Sequence, residues 1–130
     1  MADDLTTWHF ESPVRAEGRF VRQAGSPGRY GHVVLLLEPA ASAGLSFSWE
    51  VPRDQIPEMF EPSVCEGVRR WFVPGARFHG WACENTLVRI VGGSFHDTDS
   101  NEVSYMMAAA EAFSNAVAQA QALGFGRART

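Results

Sequence analysis

The chain has 130 residues and a mass of 14.3 kDa, one domain's worth of sequence, with 45% apolar and 20% charged residues. That balance excludes intrinsic disorder, and no apolar run approaches the ~20 residues of a membrane helix. All eleven basic residues are arginines, set against fifteen acids for a net charge of −4. The lack of lysine rules out a Walker-type phosphate loop, a Schiff base and a Ser–Lys pair, and the charge argues against bulk coating of nucleic acid.

In chain order, Thr6 to Ser12 is rich in β-formers and predicts a first strand. Gly18–Gln23 and Tyr30–Glu38 predict the two arms of a hairpin, broken by the Gly, Ser and Pro of residues 24–29. Leu45, Phe47, Trp49 and Val51 alternate with polar residues, the mark of a strand with one buried face, which Pro52 ends. Pro57 and Pro62 bracket the entry to a helix carrying Val64, Val68, Trp71 and Phe72, stopped by Pro74-Gly75. A strand is expected from about Trp81 to Val91, closed by Gly92-Gly93. The final helix is predicted to take Asp99 as cap, with Glu102 three residues on. Its expected buried stripe is Val103, Met106, Met107, Ala110, Phe113 and Val117, and Gly124 is its expected stop.

Residues 124–130 read as a flexible tail. With no repeat and no long linker, 1–130 reads as a single domain whose core spans about 6–123. The fold class expected is a β-β-β-α-β-α two-layer α/β (α+β) sandwich, with a four-stranded sheet and two helices on one face. The start Met1-Ala2-Asp3-Asp4 has none of the zones of a signal peptide, and two cysteines make no secreted disulfide framework, so a cytoplasmic location is expected.

Charge is uneven. Arg15, Arg19, Arg22 and Arg29 lie between Pro13 and Val33 with Glu17 as the one acid, a local +3 on a chain whose remainder carries −7. Arginine's planar fork matches phosphate oxygens and stacks on bases, and RNA loops are read by such stacking. Arg19, Arg22 and Arg29, with Tyr30 and His32, therefore form a candidate RNA-binding set. The competing explanation is a solvated hairpin whose arginines pair with the acidic body. Gly25, Gly28 and Gly31 join two strands, so they serve a turn and not a phosphate cradle, which joins a strand to a helix.

His96-Asp97-Thr98-Asp99-Ser100 reads as an exposed tip, with His96 offered to RNA and Asp99 capping the helix. Its spacing matches no metal site, and the chain has no nucleophile elbow. A loop that merely caps the helix is the plainer alternative. His79 and Cys83 stand at i, i+4 and Cys65 adds a third ligand, but no fourth has sensible spacing. Neither metal nor cofactor is expected, and the thiols read as small buried hydrophobes.

Two stretches carry a resemblance to a known family. Glu17-Gly18-Arg19-Phe20-Val21-Arg22-Gln23, Gly28-Arg29-Tyr30-Gly31-His32-Val33 and Glu38-Pro39 closely resemble the first hairpin of domain IV of translation elongation factor G. Gly93-Ser94-Phe95-His96-Asp97-Thr98-Asp99-Ser100-Asn101-Glu102 resembles the tip loop and final-helix start of the same domain. Phe47, Ile56-Pro57, Pro62-Ser63-Val64, Glu66-Gly67-Val68-Arg69 and Gly80 fall at matching separations, so the likeness runs roughly from Thr6 to Val117. It implies the sandwich above with a left-handed crossover, shared with a small-subunit ribosomal protein domain.

The resemblance also implies a non-catalytic, stand-alone domain without the family's GTPase domain. It would contact ribosomal RNA of the small subunit near the decoding region through two tips, with neither membrane nor DNA as partner. On this chain the tips are Gly25–Arg29 and Ser94–Asp99, led by Arg29 and His96, with Gly25, Gly28, Ser94, Asp97 and Asp99 shaping the loops. Pro52-Arg53-Asp54 stands where the family has Val-Gly-Gly, Arg29 where it usually has glutamine, and Trp81-Ala82 where it has Tyr-Pro. The alternative is a protein-interaction or dimerisation module that kept the fold and lost the ribosome, docking a basic partner or a second copy along a sheet edge.

Overall fold

A computed structural model describes residues 6–22, 28–124 and 126–129. Strands β1 (Thr6–Phe10), β2 (Val14–Arg22), β3 (Arg29–Pro39) and β4 (Leu45–Trp49) lead into helix α1 (Glu61–Arg69). Strands β5 (Trp81–Cys83) and β6 (Thr86–Ser94), helix α2 (Glu102–Leu123) and strand β7 (Gly126–Arg129) follow. The main sheet has the order β2-β3-β6-β4, antiparallel except for the parallel pair β4–β6. The β-β-β-α-β-α plan is therefore present, with Pro62 in the first turn of α1 as its fixed φ allows.

Strand β2 shows why the hairpin sits where it does. Val14, Ala16 and Gly18 face the core while Arg15, Glu17 and Arg19 face solvent, so the strand begins four residues earlier than expected. A Cβ on Gly18 would run into the carbonyl of Ala108 and the amide of Ala112, so the β2 backbone lies directly on α2. Such contact needs small residues on the helix as well. The buried face of α2 is Ser104, Tyr105, Ala108, Ala109, Ala112, Phe113, Ala116, Val117 and Ala120. This corrects the predicted stripe: Phe113 and Val117 are buried, but Val103 and Met107 are each 45% exposed. Alanine carries little hydropathic signal, and the larger side chains drew the stripe to the wrong side.

Four further expectations are corrected. The single strand from Trp81 to Val91 is two strands in different sheets, separated at Asn85, whose φ of 46° turns the chain. Gly92-Gly93 does not close β6, which pairs with β3 as far as His32–Ser94 past an irregularity at Val34/Leu35. Leu45, Phe47 and Trp49 do pack against the core, but the strand stops at Trp49, short of Val51, and is only half-buried at the edge of the sheet. Residues 126–129, read as flexible tail, form β7 against β1 after Gly124 ends α2 in the left-handed conformation.

A second sheet of order β5-β1-β7 results, which no local pattern in the sequence predicted. It sits by the core through Trp8, stacked on Trp81 at 5.8 Å, and Phe10, edge-on to Phe113 at 6.2 Å. Strand directions place this sheet near Pro39 and Asn85, at the opposite end from the β2–β3 turn. No described helix is long and apolar enough to cross a membrane.

Candidate nucleic-acid interface

Of the first expected tip, Gly28 and Arg29 are described, and this end is bonded to the loop before α2. Gly28 N–H donates to Asp99 Oδ1 and Tyr30 N–H donates to the Asp99 carbonyl, both at 3.0 Å. Gly28 is buried, and a Cβ there would collide with the Arg22 carbonyl and crowd the Asp99 carboxylate. Asp99 therefore serves the hairpin. The cap of α2 is instead Asn101, whose side chain accepts from Ser104 N–H at 2.9 Å, and this corrects the assignment of Asp99 as N-cap.

The 95–100 loop is closed on itself. His96 N–H donates to Ser100 Oγ at 2.9 Å, and Ser100 N–H returns to the His96 carbonyl at 3.0 Å. Thr98 and Asp99 N–H groups both donate to His96 Nδ1, at 3.3 and 3.1 Å. Nδ1 is thus an acceptor, so the neutral ring carries its proton on Nε2 and offers it outward from a side chain 53% exposed. The Tyr30 ring lies 6.1 Å from the imidazole, joining the two tips. Arg29 and Asp97 are exposed beside them, and among the described residues Arg29 forms no ion pair. Gly25 lies outside the described residues.

Behind the tip, on the sheet face turned away from the helices, four side chains from three strands form a chain. Tyr30 Oη and Ser94 Oγ are 2.6 Å apart, Ser94 Oγ and His32 Nδ1 2.9 Å, and His32 Nε2 and Glu17 Oε1 2.8 Å. A carboxylate only accepts, so His32 Nε2 carries a proton. This hydrogen bond is the largest influence holding the Glu17 carboxyl below its ordinary pKa; burial opposes it, and Arg15 and Arg19 assist from a distance. Arg19 Nη2 stands 3.4 Å from His32 Nε2, and its backbone N–H donates to the Glu111 carboxylate on α2. Arg22 lies over the Phe20 ring at 5.2 Å.

Farther from the tip the same face carries paired charges. Arg89 grips Glu50 through two nitrogens at 2.9 and 2.7 Å and Glu38 through a third at 3.0 Å, which lowers the Glu50 pKa. Arg89 is thereby neutralised, while Arg15, level with it across Leu36, stays exposed on the same face. Sequence reasoning placed Arg19, Arg22, Arg29, Tyr30, His32 and His96 in one set, and apart from the exposed hairpin arginines they share hydrogen bonds or ring contacts. It missed Glu17 and Glu111 as partners and Asn101 as the cap. Alternation in β2 puts Glu17 and Arg19 on one face, but only the register across β3 and β6 brings Ser94 to His32.

Elsewhere, burial raises the pKa of both thiols, that of Cys83 to about 11, with Cys83 Sγ donating to Thr86 Oγ1 at 3.4 Å. Among the described residues no three His, Cys, Asp or Glu side chains gather as they would around a metal ion.

The β-β-β-α-β-α sandwich thus bonds Gly28 and Tyr30, where β3 begins, to the loop that precedes α2. The chain matches the sequence profile of elongation factor G, domain IV, over residues 9–121, and it belongs to that family. A crystal structure from Thermus thermophilus superposes with a TM-score of 0.80 at 25% identity, covering 95% of this chain. The chain spans only 18% of the length of that structure's chain.

Proposed function

We propose that this chain is a non-catalytic RNA-binding domain whose double tip contacts ribosomal RNA of the small subunit near the decoding region, within the cytoplasm. The observation that supports this reading is the pair of bonds from Gly28 and Tyr30 to Asp99, which brings the chain at exposed Arg29 beside the loop that offers the Nε2–H of His96. Arg19 and Arg22 extend the cationic edge along β2, and Tyr30 and His96 supply rings for stacking.

Contact with three or four phosphates releases about 2–3 counterions, a shallow salt dependence. Co-sedimentation with purified small subunits, at low and moderate salt, tests this. Arg29→Ala and Arg19→Ala should each weaken binding and flatten the slope. Unchanged pelleting of both variants would refute the site.

A second reading, a protein-docking module, draws on one feature. Gly67, Trp71, Met106, Met107 and Ala110 line an apolar groove of about 240 Å³ between α1 and α2. Co-purification of one stoichiometric protein in place of subunits, lost in Met107→Glu, would favour it.

A further inference from the structure

The four-residue chain behind the tip has a direction. With neutral His32, Nε2–H donates to Glu17 and Nδ1 must accept, so Ser94 O–H points to Nδ1. The Ser94 oxygen then accepts the Tyr30 hydroxyl proton. Every proton in the chain is committed toward Glu17, and the Tyr30 oxygen has only lone pairs left to offer. Addition of a proton from solvent to Nδ1 reverses the order. Nδ1–H now donates to Ser94 Oγ, Ser94 O–H turns to Tyr30 Oη, and the Tyr30 proton is released to point outward.

We infer that His32 is a proton-operated polarity switch for the tip, converting the Tyr30 hydroxyl from an acceptor into a donor for a phosphate oxygen. The groups facing His32 suit this. Glu17 on β2 stays ionised and pairs with the imidazolium. Arg19 at 3.4 Å opposes the added charge, and Arg15 lies farther along β2. Tyr30 on β3 and Ser94 on β6 are the neutral relays, and His96 touches Tyr30 from the loop. Histidine is the side chain whose unperturbed charge change falls between pH 5 and 8. By linkage, an anion that prefers the donor form of Tyr30 must also draw a proton onto His32. This deepens the RNA-binding reading and rests on it for the identity of the anion.

The test uses inorganic sulfate, a tetrahedral dianion whose charge does not change over this range, in a His96→Asn background that removes the neighbouring titration. Imidazole ¹⁵N spectra follow His32 from pH 5 to 8 with and without sulfate. Sulfate should raise the His32 midpoint by several tenths of a pH unit, corresponding to a two- to five-fold linkage. Tyr30→Phe keeps His32, Ser94 and Glu17 but has no proton to turn outward, and there the rise should vanish. An equal rise in Tyr30→Phe, or none in the parent, overturns the switch. Small-subunit binding without a Tyr30-dependent rise would leave the RNA reading standing and remove this one. A Tyr30-dependent rise without subunit binding would do the converse.

Discussion

Replacing Gly18 with alanine sets two physical arguments against each other. By intrinsic preference, glycine inside a strand costs roughly 0.5–1 kcal/mol relative to alanine, so the substitution should stabilise. Here the new methyl would stand inside van der Waals range of the Ala108 carbonyl oxygen and carbon and the Ala112 nitrogen, all backbone of α2. No side chain can rotate away, so the helix must withdraw from the sheet and lose packing along Ala108, Ala112 and Phe113. Overpacking of this kind costs about 1–3 kcal/mol, and the immovable backbone puts this site at about 3. For a chain of 130 residues the unfolding entropy makes that about 11 °C in Tm. Thermal and urea unfolding, followed by far-ultraviolet circular dichroism, read it directly. The urea midpoint should fall with the slope m unchanged. Arg15→Ala, exposed on the same strand, is the control and should stay within about 0.5 kcal/mol. A Gly18→Ala protein as stable as the parent, or more so, would refute the close seating of the hairpin on α2.

Asn101→Ala removes the side-chain acceptor for Ser104 N–H and should cost about 1 kcal/mol, or about 4 °C, with hydrogen exchange accelerated in the first turn of α2. Asp99→Ala should instead speed exchange at Gly28 and leave that first turn protected; the opposite pattern would restore Asp99 as the cap. Glu17 is held below its ordinary pKa in the folded state, so its contribution is present above the unfolded value and lost as pH falls through the folded one. His32→Gln should move the Glu17 carboxyl upward in a ¹³C titration, and an unmoved value would break the pairing. With the Cys83 thiol raised to about 11 and Cys65 also raised, neither should react quickly with a thiol reagent at pH 8 until the protein unfolds. A fast native thiol would contradict their burial.

The parts of the fold legible in the sequence were those written in large or punctuating residues. The Tyr30–Glu38 arm, the Pro62 entry to α1 and the Gly124 stop each follow from a strong local preference. The buried face of α2 did not, because its alanines are chosen for the closeness of β2 and α1, and distance to a neighbour leaves no local mark. Asp99, Ser100 and Asn101 are all acceptable caps, so the spacing rule picked Asp99 by its relation to Glu102. The hairpin's claim on that carboxylate decides otherwise. The tip followed the same division. Arginine and histidine types were readable along the chain, whereas the bond from Glu17 through His32 to Ser94 depends on the register of three strands and on the irregularity at Val34/Leu35.

The small sheet has a mechanical consequence. Strand β1, near one end of the sequence, runs antiparallel to β7, near the other, with Thr7 beside Arg129 at a strand spacing of about 5 Å. Helix α2 separates them from the tip by 22 residues, about 33 Å of rise. A handle joined at either terminus would therefore pull from one pole while the pole that carries Arg29 and His96 stayed bare, so that a small pivot at the root becomes a sweep of many ångströms at the point.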